Sequence, residues 1–432
     1  LMATSSDIEN WTDADLKARH AELCSAYEAI RTKRLQLDLT RGKPAADQLE
    51  LSNDLDGILD GFYVLQDGTD VRNYGGILGI PEARALGSRL LGIDADSVLA
   101  GGNSSLNLMY HFVNYRLDAG PGDAAGWRAH SDKVKFLCPV PGYDRHFTVC
   151  DHFDIEMVNV PFVDDGPDLD FIEAAVSADP SIKGLWCIPK YSNPTGHTYS
   201  DATVQRIANL PQIAGDGFTV FWDNAYAVHT LTDAPAPLAD IMTLAQSAGT
   251  ADGLAMFAST SKITFAGAGV AFLGANAANL AGFEQYLTAS VIGFDKVNQL
   301  RHARFLPDDA AIAALMQKHR ELIAPKFDLV ENTLSSALAG KGISTWTRPD
   351  GGYFVSLDAC PGLAGEIIKL AAEVGVKVTP AGATFPGGTD PEDTNIRIAP
   401  TFPPIDDLGA ALDVLVVCVE LASVARQLGA ST

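Results

Sequence analysis

The stretch FTVFWDNAY, residues 218–226, places a carboxylate and a phenol directly after a run of largely apolar residues. Apolar runs of this length, rich in aromatic and β-branched residues, predict buried strands. Ligands of an open parallel sheet bind outside the carboxyl ends of the strands, which makes Asp223 and Tyr226 candidate site residues. A lone aspartate in this position is more often a helix N-cap, so the interpretation depends on the sequence around the stretch.

Short apolar runs of the same kind alternate with helical patterns between residues 95 and 275. The predicted strands are Ser97 to Ala100, Lys133 to Val140, Ile155 to Phe162, Gly184 to Pro189, Phe218 to Asp223, Leu254 to Ser259 and Val270 to Gly274. The predicted helices between them include Leu106 to Tyr115, Asp170 to Ser177 and Ala202 to Asn209. This alternation predicts an α/β fold with a mostly parallel, doubly wound sheet.

The pattern changes after residue 300. A helical stretch from Asp309 to Leu338 is followed by strand-like pieces at Gly352 to Leu357, Val376 to Thr379 and Asn395 to Ala399, and by a closing helix from Leu408 to Leu428. Near the other end of the chain, Thr12 caps an amphipathic helix that reaches Arg34. These elements predict a smaller α+β domain. The large domain is expected to span residues 51–325, and the small domain to combine residues 1–50 with residues 326–432.

The composition limits the partners of the chain. Its 432 residues include 54 acidic and 31 basic side chains, which give a formal net charge of -23. This charge repels phosphate backbones and anionic lipid, so neither nucleic acid nor a membrane is an expected partner. An anionic ligand must instead be held by local arginines and helix N-termini.

Further features concern the compartment and metals. Six cysteines are scattered without a CxxC pair and residues 1–6 carry no recognisable secretory signal, so a reducing cytoplasm is expected. The apolar segment from Ala266 to Phe283 is interrupted by Gly and Asn, and the segment from Val414 to Ala425 is expected to be too short to span a bilayer. His146, Cys150 and His152 lie close in sequence, but no second pair of ligands accompanies them, so no metal site is expected.

The loops after three other predicted strands also carry polar residues. GGNSS, residues 101–105, precedes a helix whose first N–H groups can approach a phosphate, although an ordinary N-cap has the same sequence. KYSNPTG, residues 190–196, contains a donor amide followed by a proline. STSK, residues 259–262, ends on a lysine that is either a Schiff-base amine or a solvated cation.

These loops form an ordered set. Asn-Pro-Thr-Gly, Asp-x-x-Tyr and Ser-x-Ser-Lys follow one another with gaps of 30 residues (193 to 223) and 39 residues (223 to 262), and NYGG at 73–76, GIPE at 79–82 and NIRI at 395–398 flank them. In these motifs the chain resembles the fold-type I enzymes that use pyridoxal 5′-phosphate, and among them the class I aminotransferases. The resemblance covers nearly the whole chain and implies this fold, this cofactor and a homodimer with shared active sites.

The resemblance implies three catalytic residues. Lys262 matches the lysine that binds the cofactor as a Schiff base and later moves a proton on the substrate, a task that requires a neutral amine for part of the cycle. Asp223 matches the carboxylate that pairs with the protonated pyridine nitrogen. Tyr226, together with Asn193, matches the donors to the phenolate oxygen of the ring.

The resemblance also implies the remaining binding residues. Tyr143 matches the aromatic residue that stacks on the ring, although a core aromatic has the same appearance. Arg397 matches the arginine that grips the substrate α-carboxylate, next to Asn193, and Gly42 matches the small-residue loop that closes over the substrate. The residues expected to hold the phosphate are Asn103, Ser104, Ser105, Ser259, Ser261 and, from the other subunit, Tyr74.

Two features bear on specificity. Most of the family has an arginine eight residues after the lysine to neutralise the phosphate, where this chain has Val270. This departure, with LTRGKP at 39–44 and KITF at 262–265, resembles a divergent group of bacterial aspartate aminotransferases. A dicarboxylic substrate needs a second cation, and the candidates are Arg301 and Arg304, where the family's partner subunit often reaches the site. The sequence fits equally well an interpretation in which each of them is an ordinary arginine on a helix surface.

The predicted activity is amino transfer from L-aspartate to 2-oxoglutarate by a ping-pong mechanism. The alternatives left open are a transaminase for alanine or an aromatic amino acid, and a pyridoxal phosphate-dependent C–S β-lyase, which uses the same lysine and aspartate. A transcription regulator is disfavoured because only about 40 residues precede the loop at Gly42, too few for a DNA-binding domain. A nucleotide-binding dehydrogenase is disfavoured because Gly267-x-Gly269 lacks a third glycine and a following helix.

Overall fold

A computed structural model describes residues 7–430. Residues 1–6, on which the expectation about a secretory signal rests, lie outside this range. The helices are α1 Asp13–Thr32, α2 Ala46–Glu50, α3 Pro81–Leu91, α4 Ser105–Asp118, α5 Asp144–His152, α6 Leu169–Ala178, α7 Asp201–Asn209, α8 Ile241–Ala248, α9 Ala277–Leu287, α10 Lys296–Phe305, α11 Asp309–Leu338, α12 Ala364–Glu373 and α13 Ile405–Leu428. The strands are β1 Leu37–Asp38, β2 Val98–Ala100, β3 Lys135–Val140, β4 Glu156–Val163, β5 Gly166–Pro167, β6 Ile182–Cys187, β7 Thr219–Asp223, β8 Leu254–Ser259, β9 Ala271–Gly274, β10 Ser344–Trp346, β11 Val355–Ala359, β12 Val376–Lys377 and β13 Asn395–Ile398.

Eight of these strands form one sheet in the order β2-β9-β8-β7-β6-β3-β4-β5. The pairs β3–β4, β3–β6, β6–β7 and β7–β8 are parallel, whereas β9 runs antiparallel to both β8 and β2. The prediction of a mostly parallel α/β sheet is therefore confirmed. The sequence pattern did not reveal the reversed direction of β9, because a short buried strand has the same apolar composition in either direction.

Alternate residues of the central strands face two different cores. Val220 and Trp222 of β7 pack into one apolar cluster, and Phe221 between them packs into another. Successive side chains of a strand point to opposite faces of the sheet, so a strand that is apolar at every position must be covered on both sides. This is why the run at residues 218–222 predicts a doubly wound sheet.

A third apolar cluster joins the two ends of the chain. It combines residues between Ile8 and Leu39 with residues between Phe327 and Val424. β1 pairs in parallel with β12, and β10, β11 and β13 form a separate antiparallel sheet. Within α11, Ile312 and Met316 pack on the large-domain core, whereas Phe327 and Val330 pack on this third cluster. The division between residues 325 and 326 stays a proposal, which this change of packing partner supports.

The closing helix α13 corrects one sequence-based expectation. Within residues 7–430 it is the one helix long and apolar enough to cross a membrane, with 24 residues and a mean hydropathy of 2.1 in its most apolar window. The expectation that the segment around Val414 to Ala425 is too short is therefore wrong. Because 72% of that window is buried inside the fold, the apolar composition is accounted for by packing: Leu415 and Val419 are in the core that joins the chain ends.

Candidate active site

A cavity of about 430 Å³ lies at the carboxyl ends of β6, β7 and β8, within the size range of small-molecule sites. We call it the central cavity. It is lined by Gly42, Ser104, Ser105, Leu106, Tyr143, Asp144, Arg145, Ile188, Asn193, Asp223, Ala225, Tyr226, Ser259, Ser261, Lys262, Phe354 and Arg397. The predicted site residues are in this set except Asn103 and Tyr74. A second cavity, of about 540 Å³, is lined by Asp164, Asp358, Asp390 and Glu392 among others, and this acidic lining does not suit an anionic ligand.

Lys262 is a buried amine that the fold shifts towards its neutral form. It follows β8, and its Nζ lies over the rings of Tyr226 and Tyr353, 4.9 Å and 5.8 Å from their centroids. Burial lowers the pKa of Lys262, while the negative charge of Asp223 acts in the opposite direction. Removal of water from around an ammonium group disfavours its charge, so this amine is suited to nucleophilic attack and proton transfer.

Asp223 is a buried carboxylate with one oxygen held and the other free. Its Oδ2 accepts a hydrogen bond from His146 Nε2 at 2.9 Å, and its Oδ1 is buried without a hydrogen-bond partner among residues 7–430. The ring of His146 stacks on Trp186 with a centroid distance of 4.3 Å. Burial of a carboxylate oxygen without a hydrogen bond costs free energy. Oδ1 is therefore a candidate acceptor for a ligand that donates a hydrogen bond.

His146 is a residue of the candidate site that sequence reasoning missed. The sequence grouped it with Cys150 and His152, but these three residues have different partners: Cys150 receives a hydrogen bond from Trp186 Nε1 at 3.3 Å, and His152 bonds to Tyr110 at 3.0 Å. The signal that points to His146 is its position three residues after Tyr143 at the start of α5, a spacing that places the two residues on the same side of the helix.

One end of the central cavity is built to receive an anion. Ser104 is the N-cap of α4, where its side chain accepts from Asn107 N–H at 3.3 Å, so the free N–H groups of a 14-residue helix begin here. The Oγ atoms of Ser259 and Ser261 lie 3.0 Å apart at the same end of β8. A helix N-terminus with nearby hydroxyl donors binds phosphate. Val270 has no charge to offer an anion, and its side chain is buried in the core.

Two predicted residues lie outside the lining of the central cavity. The side-chain amide of Asn103 donates to the carbonyl of Gly267 at 3.0 Å, and Asn103 itself is exposed. Tyr74 is 84% exposed and turned to the surface. Of the loop residues 101–105, the lining of the central cavity includes Ser104 and Ser105. A role for Tyr74 in the site of another subunit stays a prediction.

Arg397 lines the same cavity as Lys262. It lies on β13, its guanidinium packs over the ring of Phe354 at 4.8 Å, and it contacts Asn193 Oδ1 at 3.5 Å and Thr379 Oγ1 at 3.3 Å. With Oδ1 turned to Arg397, the Nδ2 group of Asn193 is left to donate. Burial lowers the pKa of Arg397, and the charge of Asp144 raises it. A planar, desolvated guanidinium in a cavity is suited to bidentate recognition of a carboxylate.

Gly42 brings the N-terminal segment to the same cavity. A side chain at this position would collide with the ring of Phe354, so glycine is what allows the loop to lie against the aromatic wall. The predicted closure of this loop over a substrate stays a prediction.

The buried His229 behind Tyr226 makes stability depend on pH. Burial, followed by the charges of Lys262 and His319, lowers its pKa from 6.5 to about 3. Between these values the unfolded chain binds a proton that the folded chain does not, so stability falls as the pH falls from about 6.5 towards 3. We expect apoprotein to lose about 2 kcal/mol more than His229→Phe between about pH 7 and pH 5. Urea unfolding at both pH values measures this, and the exposed His130→Phe serves as the control. Parallel losses in wild type and His229→Phe would contradict it.

The chain is similar to known proteins over nearly its whole length. A family model described as aspartate amino-transferase matches residues 11–431. A provisionally named aminotransferase of Mycolicibacterium smegmatis is 50% identical over 418 residues, 96% of this chain and 97% of that one. An aspartate aminotransferase of Corynebacterium glutamicum is 44% identical over 405 residues, 94% of this chain and 93% of that one.

Solved structures show the same correspondence. The crystal structure of an aspartate transaminase from Corynebacterium glutamicum superposes with a TM-score of 0.94 at 41% identity and covers 98% of this chain and 100% of that chain. The α-aminoadipate aminotransferase of Thermus thermophilus, complexed with N-(5′-phosphopyridoxyl)-L-leucine, has a TM-score of 0.72 at 22% identity and covers 90% of this chain and 93% of that chain. At that identity the second similarity shows the fold alone.

Proposed function

The chain belongs to the aspartate aminotransferase family, and we propose that it transfers the amino group of L-aspartate to 2-oxoglutarate by a ping-pong mechanism. It is an aminotransferase of fold type I, and pyridoxal phosphate is its cofactor. Support for L-aspartate comes from the relative named for that activity at 44% identity. The main support for the proposal is that three groups line one cavity: the amine of Lys262, the carboxylate of Asp223, whose Oδ1 has no hydrogen-bond partner within residues 7–430, and the guanidinium of Arg397.

The described residues fit the cofactor. The unpaired Oδ1 of Asp223 is an acceptor for a protonated ring nitrogen, and the N-terminus of α4 offers N–H groups to a phosphate. We propose that Ser104, Ser105, Ser259 and Ser261 hold the phosphate and that hydroxyl and helix N–H groups replace the arginine absent at Val270. The side-chain amide of Asn103 donates to the carbonyl of Gly267, so we propose that Asn103 holds the loop in place and does not bind the phosphate directly.

The bound cofactor supplies an electron sink for the negative charge that develops at the substrate Cα. We propose that Lys262 would take the proton from the substrate Cα and would deliver it to C4′ of the cofactor, because its lowered pKa leaves a share of neutral amine. Asp223, oriented by His146, keeps the ring nitrogen protonated. Tyr226 and the Nδ2 group of Asn193 donate to the ring oxygen, Tyr143 stacks on the ring, and Arg397 holds the α-carboxylate.

We propose a homodimer in the cytoplasm. Phe62, Val64, Tyr74 and Ile292 are large side chains that are 68%, 56%, 84% and 63% exposed. Exposed apolar groups of this size are typical of an interface between subunits, and Tyr74 would then serve the partner's phosphate site. The six cysteines form no disulfide within residues 7–430, which is compatible with a reducing compartment.

Spectroscopy of the holoenzyme tests the function. L-Aspartate is expected to bleach the yellow band of the lysine-bound cofactor, and 2-oxoglutarate is expected to restore it. A band that persists with L-aspartate but bleaches with L-alanine or an aromatic amino acid would show a different donor specificity. Release of pyruvate and ammonia without any oxo-acid acceptor would identify the C–S β-lyase alternative.

A further inference from the structure

We propose that Arg145 binds the distal carboxylate of the dicarboxylic substrate and thereby selects L-aspartate and 2-oxoglutarate over amino acids with uncharged side chains. The proposal rests on the proposed function, since a substrate with a single carboxylate gives Arg145 nothing to bind. In a chain with a net charge of -23, each carboxylate of a dianion needs a local cation. Arg397 accounts for one of them, and the second has to come from the remaining cations around the cavity.

Arg145 lies at the rim of the central cavity on the first turn of α5. The helix begins at Asp144 with Tyr143 as its N-cap residue, and all three side chains line the cavity. The charges of Arg145 and Arg397 both act on the phenol of Tyr143. Both guanidinium groups are therefore within electrostatic range of the ring that is expected to stack on the cofactor, as two subsites for one short dicarboxylate require.

The other cationic side chains that line the cavity already have proposed roles or hydrogen-bond partners. Among the lining residues of the described chain, the cations are Arg145, Lys262 and Arg397. Lys262 is the reactive amine, and Arg397 contacts Asn193 and Thr379. Arg145 makes no hydrogen bond or ion pair within residues 7–430. It is thus a charged donor in the cavity whose hydrogen-bonding capacity is unused.

The arginines expected from the sequence are engaged in holding the chain together. Arg301 donates to the carbonyl of Leu55 and lies 3.2 Å from the carboxylate of Asp56. Arg304 donates to the carbonyls of Leu59 and Phe62, at 3.3 Å and 3.0 Å. These bonds fasten the segment 55–62 to α10, and neither side chain lines the cavity of its own subunit.

Asp144 does not neutralise Arg145. Neighbouring residues of a helix do not face each other, and the charge of Asp144 acts on Arg397 instead, whose pKa it raises. Arg145 is exposed, so it stays hydrated when an uncharged amino acid binds. Arg145 therefore selects substrates by attracting their second carboxylate. The rate with substrates that lack this carboxylate should change little when Arg145 is replaced.

The test compares Arg145→Gln and Arg145→Lys with wild-type holoenzyme. Loss of a charge-assisted pair is expected to lower kcat/KM for L-aspartate by roughly 10- to 100-fold, mainly through KM, with Arg145→Lys intermediate. The rate with L-alanine, followed as bleaching of the cofactor band, should change by less than about 3-fold. Competitive binding of succinate should weaken as much as that of L-aspartate, and retention of the cofactor on dialysis should not change. Arg348→Gln, an exposed arginine paired with Glu331 outside the cavity, is the control.

The outcomes separate the two proposals. Equal losses with L-aspartate and L-alanine, or unchanged binding of succinate, would overturn the assignment of Arg145 and leave the proposed function intact. Loss of the cofactor from Arg145→Gln would overturn it too, by assigning the guanidinium to the phosphate. Wild type that does not act on L-aspartate would refute the proposed function. Succinate competition with the donor that is used would then decide the role of Arg145 alone, with weaker binding in Arg145→Gln supporting it and unchanged binding overturning it.

Discussion

Replacement of Lys262 by alanine is expected to lower kcat for L-aspartate by about 10⁴- to 10⁶-fold. The variant loses both the covalent attachment of the cofactor and the group that moves the proton at the substrate Cα. The aromatic rings over which Nζ lies, those of Tyr226 and Tyr353, are poor substitutes, because a buried phenol is a poor base at neutral pH. Steady-state kinetics measure the loss, and borohydride reduction with peptide mapping locates the lysine–cofactor bond.

Two controls distinguish this loss from a general disturbance. Lys190 is another lysine whose pKa is lowered by burial, but it lies outside the central cavity, and Lys190→Ala should retain activity within a few-fold. Added ethylamine should partly restore turnover in Lys262→Ala, because a free amine can enter the space left by the side chain and accept the proton. Substantial activity in Lys262→Ala, or a borohydride label on a different lysine, would show that the assignment is wrong.

Replacement of Asp223 by asparagine is expected to lower kcat by about 10²- to 10³-fold. Asparagine has nearly the same shape but no charge, so it cannot keep a proton on the ring nitrogen against the low polarity of this buried position. Nitrogen NMR of isotopically labelled cofactor reports that proton directly, in addition to the kinetic loss. Asp216→Asn, at an exposed position near the opposite end of β7, is the matched control.

His146 provides a graded comparison for the same site. His146→Phe keeps an aromatic ring against Trp186 but removes the bond to Asp223 Oδ2, so we expect a smaller loss of roughly 10-fold. The carboxyl group is then still present but is less well oriented. If Asp223→Asn retained near-wild-type kcat with a protonated ring nitrogen, the role of the carboxylate would be refuted.

Predicted site residues that lie at or just after the end of a strand come together in the central cavity. Lys262 comes shortly after β8, Asp223 ends β7, and Asn193 lies in the loop after β6. The carboxyl ends of parallel strands meet at one edge of the sheet, so residues far apart in the chain can be placed in one site from local patterns alone. The same reasoning did not separate Asn103, which bonds to Gly267, from Ser104, which lines the cavity. Both are polar residues of one loop, and only packing decides which of them turns inward.

The sequence by itself determined the fold class, the order of the strands along the chain and the reactive groups at their ends. These follow from apolar periodicity and from residue types in short stretches, which are local properties. Only the tertiary structure decided which groups meet: His146 with Asp223, 77 positions apart, and Arg397 with Asn193, 204 positions apart. It also leaves Arg145 in the cavity without a partner in the described part of the chain, whereas Arg301 and Arg304 bind the segment 55–62. The burial of a side chain and its hydrogen-bond partners depend on long-range packing. The local sequence around an arginine is the same whether or not its guanidinium is already paired.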